Sequence, residues 1–228
     1  MPGISFDNLK KLVGKEVRVL RREDVEEDAE AVILSQARKG RVGFLVPGDP
    51  MVATTHIDLR LRAHKAGIRT RIVHAASVMP AAAGVTGLQS YKFGRTVTVP
   101  ASWQGEFPSS IYMNIKHNRI SGLHSLVLLE IDRENMKHVT ISLALKQLLA
   151  QSRQISDDTI NPKTLTVGIA RLEAPDMIVR AGTVDEIAEI DFGEPPYVVI
   201  FPGSLHFVEA EALQVLCGAR KDLVSQAK

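Results

Sequence analysis

The chain has 228 residues, 45% hydrophobic and 24% charged, enough to bury a sizeable core as one large domain or two small ones. Its 28 basic and 26 acidic residues balance to +2, far from the basic stripe of a protein that lives on nucleic acid, so no nucleic-acid partner is expected. No apolar run reaches the roughly 18 to 20 residues that span a bilayer, no secretion signal follows Met1, and the lone Cys217 has no histidine or cysteine at ligand spacing, which together predict a soluble cytoplasmic protein with no membrane partner, internal disulfide or metal.

Periodicity predicts a helix over 6–13, a strand over 16–20 and a helix over 25–37 that places Val25, Ala29, Val32 and Ile33 on one face, with Gly40 closing it. The apolar run 42–46 reads as a buried parallel strand, followed by Pro47-Gly48-Asp49-Pro50 and a helix over 52–65. A strand over 70–74, a helix over 78–85 and a strand over 96–99 come next. Two prolines and a glycine without periodicity mark 100–108 as a linker, dividing an N-terminal α/β domain, 1–99, from a C-terminal one, 109–228. The second half reads as helix 110–120, strand 125–131, helix 141–150, strands 165–171 and 178–181, helix 184–188, strand 198–201 and helix 207–217. Alternating strands and helices predict an α/β class with a parallel sheet covered on both faces.

In such sheets ligands bind at the carboxyl ends of strands, where helix amino termini offer free N–H groups. The 47–50 turn occupies such a place. Gly48 would let a ligand approach the backbone, the prolines stiffen the loop, and Asp49 offers a carboxylate for an ammonium group. Taken alone, the same tetrapeptide is equally a strand-to-helix turn with Asp49 capping the helix.

The longer run Leu45-Val-Pro-Gly-Asp-Pro-Met-Val-Ala-Thr-Thr-His56 resembles the signature of the diphthine synthases, in their archaeal form, within the tetrapyrrole methylase superfamily. His74-Ala-Ala-Ser-Val78, Gly84-Val-Thr-Gly-Leu88, Tyr91-Lys-Phe-Gly94, Gly122-Leu-His124, Asp191-Phe-Gly-Glu-Pro-Pro196 and Pro202-Gly-Ser-Leu-His-Phe-Val-Glu-Ala-Glu211 agree with that family in order and spacing. The resemblance implies a two-domain fold with S-adenosyl-L-methionine in the interdomain cleft, and a homodimer. It also implies transfer of methyl groups to the amine of the 3-amino-3-carboxypropyl arm on a histidine of elongation factor 2, in diphthamide biosynthesis. By motif match, Asp49, Val52, Ser77, Val78, Leu129, Leu172 and Tyr197 would line the cofactor site. Read as residues alone, Val52, Val78, Leu129 and Leu172 are core packing, as buried aliphatic residues usually are. Tyr197 stands where the family often has histidine.

His56, His124 and His206 each fall inside a family motif and could hold the substrate or serve as hydrogen-bonded structural residues. No side chain is assigned as catalytic. The basic group Arg60, Arg62, His64, Lys65, Arg69 and Arg71 suits either an acidic partner or a solvated helix face. Family members begin with a strand, a Gly-Leu-Gly-Leu loop and an acidic Asp-Ile-Thr segment; upstream of Pro2-Gly-Ile-Ser-Phe6 none of these occurs, so the chain is expected to start near the end of the family's second strand. A lost central strand would expose unpaired backbone groups. Two alternatives stay open: methylation of a tetrapyrrole such as a precorrin, and a non-catalytic binding protein of the same fold.

Overall fold

The computed structural model describes residues 6–132 and 136–225; the start Met1-Pro2-Gly3-Ile4-Ser5 lies outside the described residues. The chain forms two compact units, Met1–Val78 and Met79–Lys228.

In the first unit, α1 (Phe6–Val13) carries Asp7 in its first turn and Lys10 and Lys11 in its last, each sign placed to suit the helix dipole. Gly14, at φ +63°, ends it. The predicted 25–37 helix is broken into α2 (Arg22–Glu26), a π-helical turn (Glu30–Leu34) and α3 (Ser35–Ala37), burying Ala29, Ile33 and Leu34. Helix α4 (His56–Lys65) begins four residues later than periodicity suggests. Thr55 ties it to α2 by donating to Glu26 at 2.8 Å.

The segments expected as strands, 16–20, 42–46 and 70–74, form no ladder among the described residues. Several of their apolar side chains face solvent, Leu45 being 55% exposed and Val73 71%, while Phe44, Val46 and Ile72 are half-buried. β propensity measures how well a residue fits beside a neighbouring strand, and among the described residues none pairs with these segments.

The second unit is built on one five-stranded sheet in the order β1 (Val97–Val99), β2 (Ser125–Leu129), β7 (Tyr197–Phe201), β5 (Leu165–Ala170), β6 (Ile178–Thr183). Val97–Val99, read from sequence as part of the first domain, is its edge strand. The expectation of a parallel sheet is corrected here: only β1 and β2 run parallel, and the other three pairings are antiparallel. The connection from Ala170 to Ile178 is too short for a crossover and can only join antiparallel strands. A small hairpin, β3 (Ile131–Asp132) with β4 (Lys137–His138), follows β2.

The central strands β5 and β7 are buried along their whole length, and their unbroken apolar runs Leu-Thr-Val-Gly-Ile-Ala and Tyr-Val-Val-Ile-Phe reflect that. Helices α6 (Ser109–Ile120), α7 (Ile141–Gln154) and α8 (Val184–Ala188) cover the core with Tyr112, Ile115, Leu145, Leu148 and Ile187. Each such fully buried aliphatic side chain contributes about 1.5–3 kcal/mol. Thr183 and Glu186 close a reciprocal capping box that starts α8. Helix α5 (Val78–Thr86) leads into Gly87, against which Ala212 of α9 (Phe207–Cys217) packs so closely that a Cβ would lie 2.4 Å away. Helix α10 (Lys221–Ser225) ends the described chain.

Candidate functional site

The 47–50 turn is organised by Asp49. Its Oδ1 accepts the Met51 N–H at 2.8 Å, and its Oδ2 accepts the Ala75 N–H at 3.2 Å and the His74 Nδ1–H at 2.8 Å. These bonds, the Met51 N–H first, hold the carboxyl below its ordinary range, so it is ionised at neutral pH. The Asp49 side chain is 7% exposed and the His74 ring 70%. Gly48 adopts φ +83°, and a Cβ there would sit 3.5 Å from the Ala76 carbonyl, so the turn lies directly on the 74–76 backbone. Four of the predicted site residues, Asp49, Val52, Ser77 and Val78, are therefore neighbours of this one contact. His56 serves the turn from outside: its Nδ1–H donates to the Pro50 carbonyl at 2.9 Å, and its ring meets Phe44 edge to face. The Asp49–His74 pairing was not visible in sequence, although His74 opens the motif that ends at Val78.

In the second unit the strand register gathers the remaining three. Ala170 pairs with Tyr197 and Leu128 with Val198, and β7 runs opposite to both β2 and β5. Leu129, Leu172 and Tyr197 consequently share the carboxyl end of β2 and β5. Leu129 and Tyr197 are buried in the core. The Tyr197 hydroxyl donates to the Gly193 carbonyl, and burial pushes its pKa up. Beside them Arg171, itself at φ +51°, donates from Nη1 to the carbonyls of Phe192 (2.7 Å) and Glu194 (2.5 Å) and from its backbone N–H to Pro196 (2.8 Å). It clamps the 191–196 loop against the end of β5.

Three other motifs converge at the opposite end of this sheet, on Glu209. The Glu209 and His124 side chains are 0% exposed. Glu209 accepts from the backbone N–H of Gln89 (2.9 Å) and His206 (2.8 Å), from Lys92 Nζ (2.5 Å) and from His124 Nε2 (2.9 Å). Gly203 donates its N–H to His124 Nδ1 at 2.9 Å, so the imidazole is neutral with its proton on Nε2, and burial lowers its pKa. This assembly joins the Tyr91, Gly122 and Pro202 segments as structure; His124 and Glu209 have no free valence for a ligand. His206 caps α9 through the Val208 N–H.

A carboxylate offers about four acceptor positions and Asp49 uses three, which leaves one for a ligand's ammonium group. With Gly48 free of a side chain beside it, the turn fits an amino-acid-bearing cofactor.

The family of tetrapyrrole (corrin/porphyrin) methylases matches residues 7–188. A diphthine synthase of Methanothermobacter thermautotrophicus is 40% identical over 226 residues, covering 99% of this chain and 85% of its own. One from Methanocella arvoryzae is 42% identical over 218 residues, with coverage of 96% and 84%. A crystal structure of a diphthine synthase superposes with a TM-score of 0.87 at 34% identity, covering 97% of this chain and 83% of that one.

Proposed function

Because the chain belongs to the tetrapyrrole methylase family and, within it, to the diphthine synthases, we propose that its acceptor is the amine of the 3-amino-3-carboxypropyl arm on a histidine of elongation factor 2. At the coarser level the chain is an S-adenosylmethionine-dependent methyltransferase of diphthamide biosynthesis. The observation that carries this is 40% identity sustained along 99% of the chain. The ordered Asp49 turn supports it.

We place the cofactor against Asp49, Val52, Ser77 and Val78 of the first unit and Leu129, Leu172 and Tyr197 of the second. When bound, S-adenosyl-L-methionine supplies an electrophilic methyl group on a sulfonium whose departure leaves a neutral thioether. The protein's own task is alignment. Gly48 admits the ligand to the backbone, Asp49 fixes its ammonium end, and the buried Leu129 and Tyr197 present main-chain groups at the sheet end. Correct positioning of two reactants is worth about 7–11 kcal/mol, so no serine–histidine or paired-carboxylate set is required.

A homodimer in the cytoplasm is part of the same proposal; among the described residues no helix is long and apolar enough to cross a membrane. Incubation with methyl-labelled cofactor and elongation factor 2 carrying the unmethylated arm tests the reading. Label on the factor is expected. An unlabelled factor, with label instead on an added precorrin, would favour the tetrapyrrole alternative.

A further inference from the structure

We propose that His74 is the proton acceptor for the substrate amine, oriented for that role by Asp49. This rests on the reading above that the acceptor is an amine.

Such an amine is an ammonium ion at neutral pH and has no lone pair to attack with, so a base must act first. His74 is built for it. Asp49 Oδ2, an oxygen that only accepts, faces His74 Nδ1 at 2.8 Å, which puts the ring proton on Nδ1 and leaves the Nε2 lone pair unshared. The carboxylate cannot swing away, because the Met51 and Ala75 N–H groups hold one oxygen each. The carboxylate is nearly enclosed while the ring it holds is 70% exposed, so Nε2 is presented outward from a fixed anchor. A buried carboxylate holding one imidazole nitrogen so that the other can take a proton is the arrangement that general-base catalysis uses elsewhere.

The other motif histidines lack it. His56 spends Nδ1 on the Pro50 carbonyl, His124 has both nitrogens engaged in a sealed core, and the Nδ1 of His206 caps α9. In the step proposed, Nε2 takes a proton from the ammonium, and the electrons of the broken N–H bond stay on nitrogen as its lone pair. The N–C bond to the methyl then forms as the C–S bond breaks, that pair remaining on sulfur. The imidazolium, its charge balanced by Asp49, returns the proton to water.

The test has one arm without turnover. Nitrogen NMR of the cofactor-free protein is expected to show the neutral His74 ring protonated at Nδ1 and bare at Nε2, with that preference lost in Asp49→Asn. The second arm is kinetic. His74→Ala should lower kcat by about 100-fold or more, the low end for losing a general base, with little change in KM for the factor. Free imidazole should restore part of the rate. His74→Gln, whose amide can still donate to Asp49 but cannot take up a proton, should show the same loss if the alanine variant folds poorly. An Nε2-protonated ring, an unchanged kcat in both variants, or a kcat loss in folded His74→Ala that imidazole leaves untouched would overturn the proposal. Failure of the wild-type protein to label elongation factor 2 would instead overturn the reading it rests on.

Discussion

Replacing Glu209 by glutamine removes one oxygen from a site where both are fully used. Oε1 meets the Gln89 N–H and His124 Nε2, and Oε2 meets Lys92 Nζ and the His206 N–H. Whichever way the amide turns, its NH₂ faces two donors. Breaking a buried ionic network by altering one partner costs about 3–5 kcal/mol. For a protein of this size that lowers Tm by about 6–20 °C. Burial opposes ionisation of Glu209, yet its hydrogen bonds, that of Lys92 foremost, outweigh burial and bring the pKa to about 2 from an ordinary 4.5. Since the folded value is the depressed one, this contribution is fully present above 4.5 and is lost as pH falls through about 2. His124 acts in the same direction: its lowered pKa makes the folded state weaker as acid charges the unfolded imidazole. Urea unfolding of wild type and Glu209→Gln, measured from pH 7 down to the acid limit, checks both parts. The gap between the two proteins should be several kcal/mol at neutral pH and narrow as Glu209 is protonated. A gap under about 1 kcal/mol at pH 7, the size of an ordinary surface substitution, would refute the view that this knot is structural.

Other substitutions separate backbone from side-chain roles. Gly203→Ala would set a Cβ 2.5 Å from the carbonyl oxygens of Gly122 and Leu123, which cannot step aside as a side chain can; a loss of about 1–3 kcal/mol is expected in denaturant unfolding. Tyr197→Phe removes only the bond to the Gly193 carbonyl, so it should cost about 1 kcal/mol of stability while leaving affinity for S-adenosylhomocysteine unchanged by calorimetry. Asp49→Asn sets an amide NH₂ against the Met51 N–H or against the Ala75 and His74 donors, and the same titration should show affinity reduced about tenfold or more.

The second half of the chain was the more legible. Helices 184–188 and 207–217 fall where the sequence reading puts them, and the structure starts each with a capping box, Thr183 with Glu186 and His206 with Glu209, a contact between near neighbours in sequence. Strand direction was not legible. Apolar runs such as 165–170 and 197–201 announce burial, which any central strand shares, and only the brevity of the 171–177 connection carries the antiparallel pairing. In the first half, 16–20, 42–46 and 70–74 show β-branched composition without a ladder among the described residues, since pairing is a property of two segments and composition of one. At the site, motif likeness drew attention to His56, His124 and His206, all of which hold structure together. The carboxylate–imidazole pair of Asp49 and His74 spans 25 residues and is created by the fold bringing two loops together, which no local pattern records.

In the function proposed above, the turn carrying Asp49 grips the methyl donor. Hydrogen–deuterium exchange with and without S-adenosylhomocysteine tests it most directly. Slowed exchange is predicted at residues 48–52 and 74–78, together with the segments following Leu129 and Leu172. Protection that leaves 48–52 and 74–78 untouched while appearing elsewhere would contradict it.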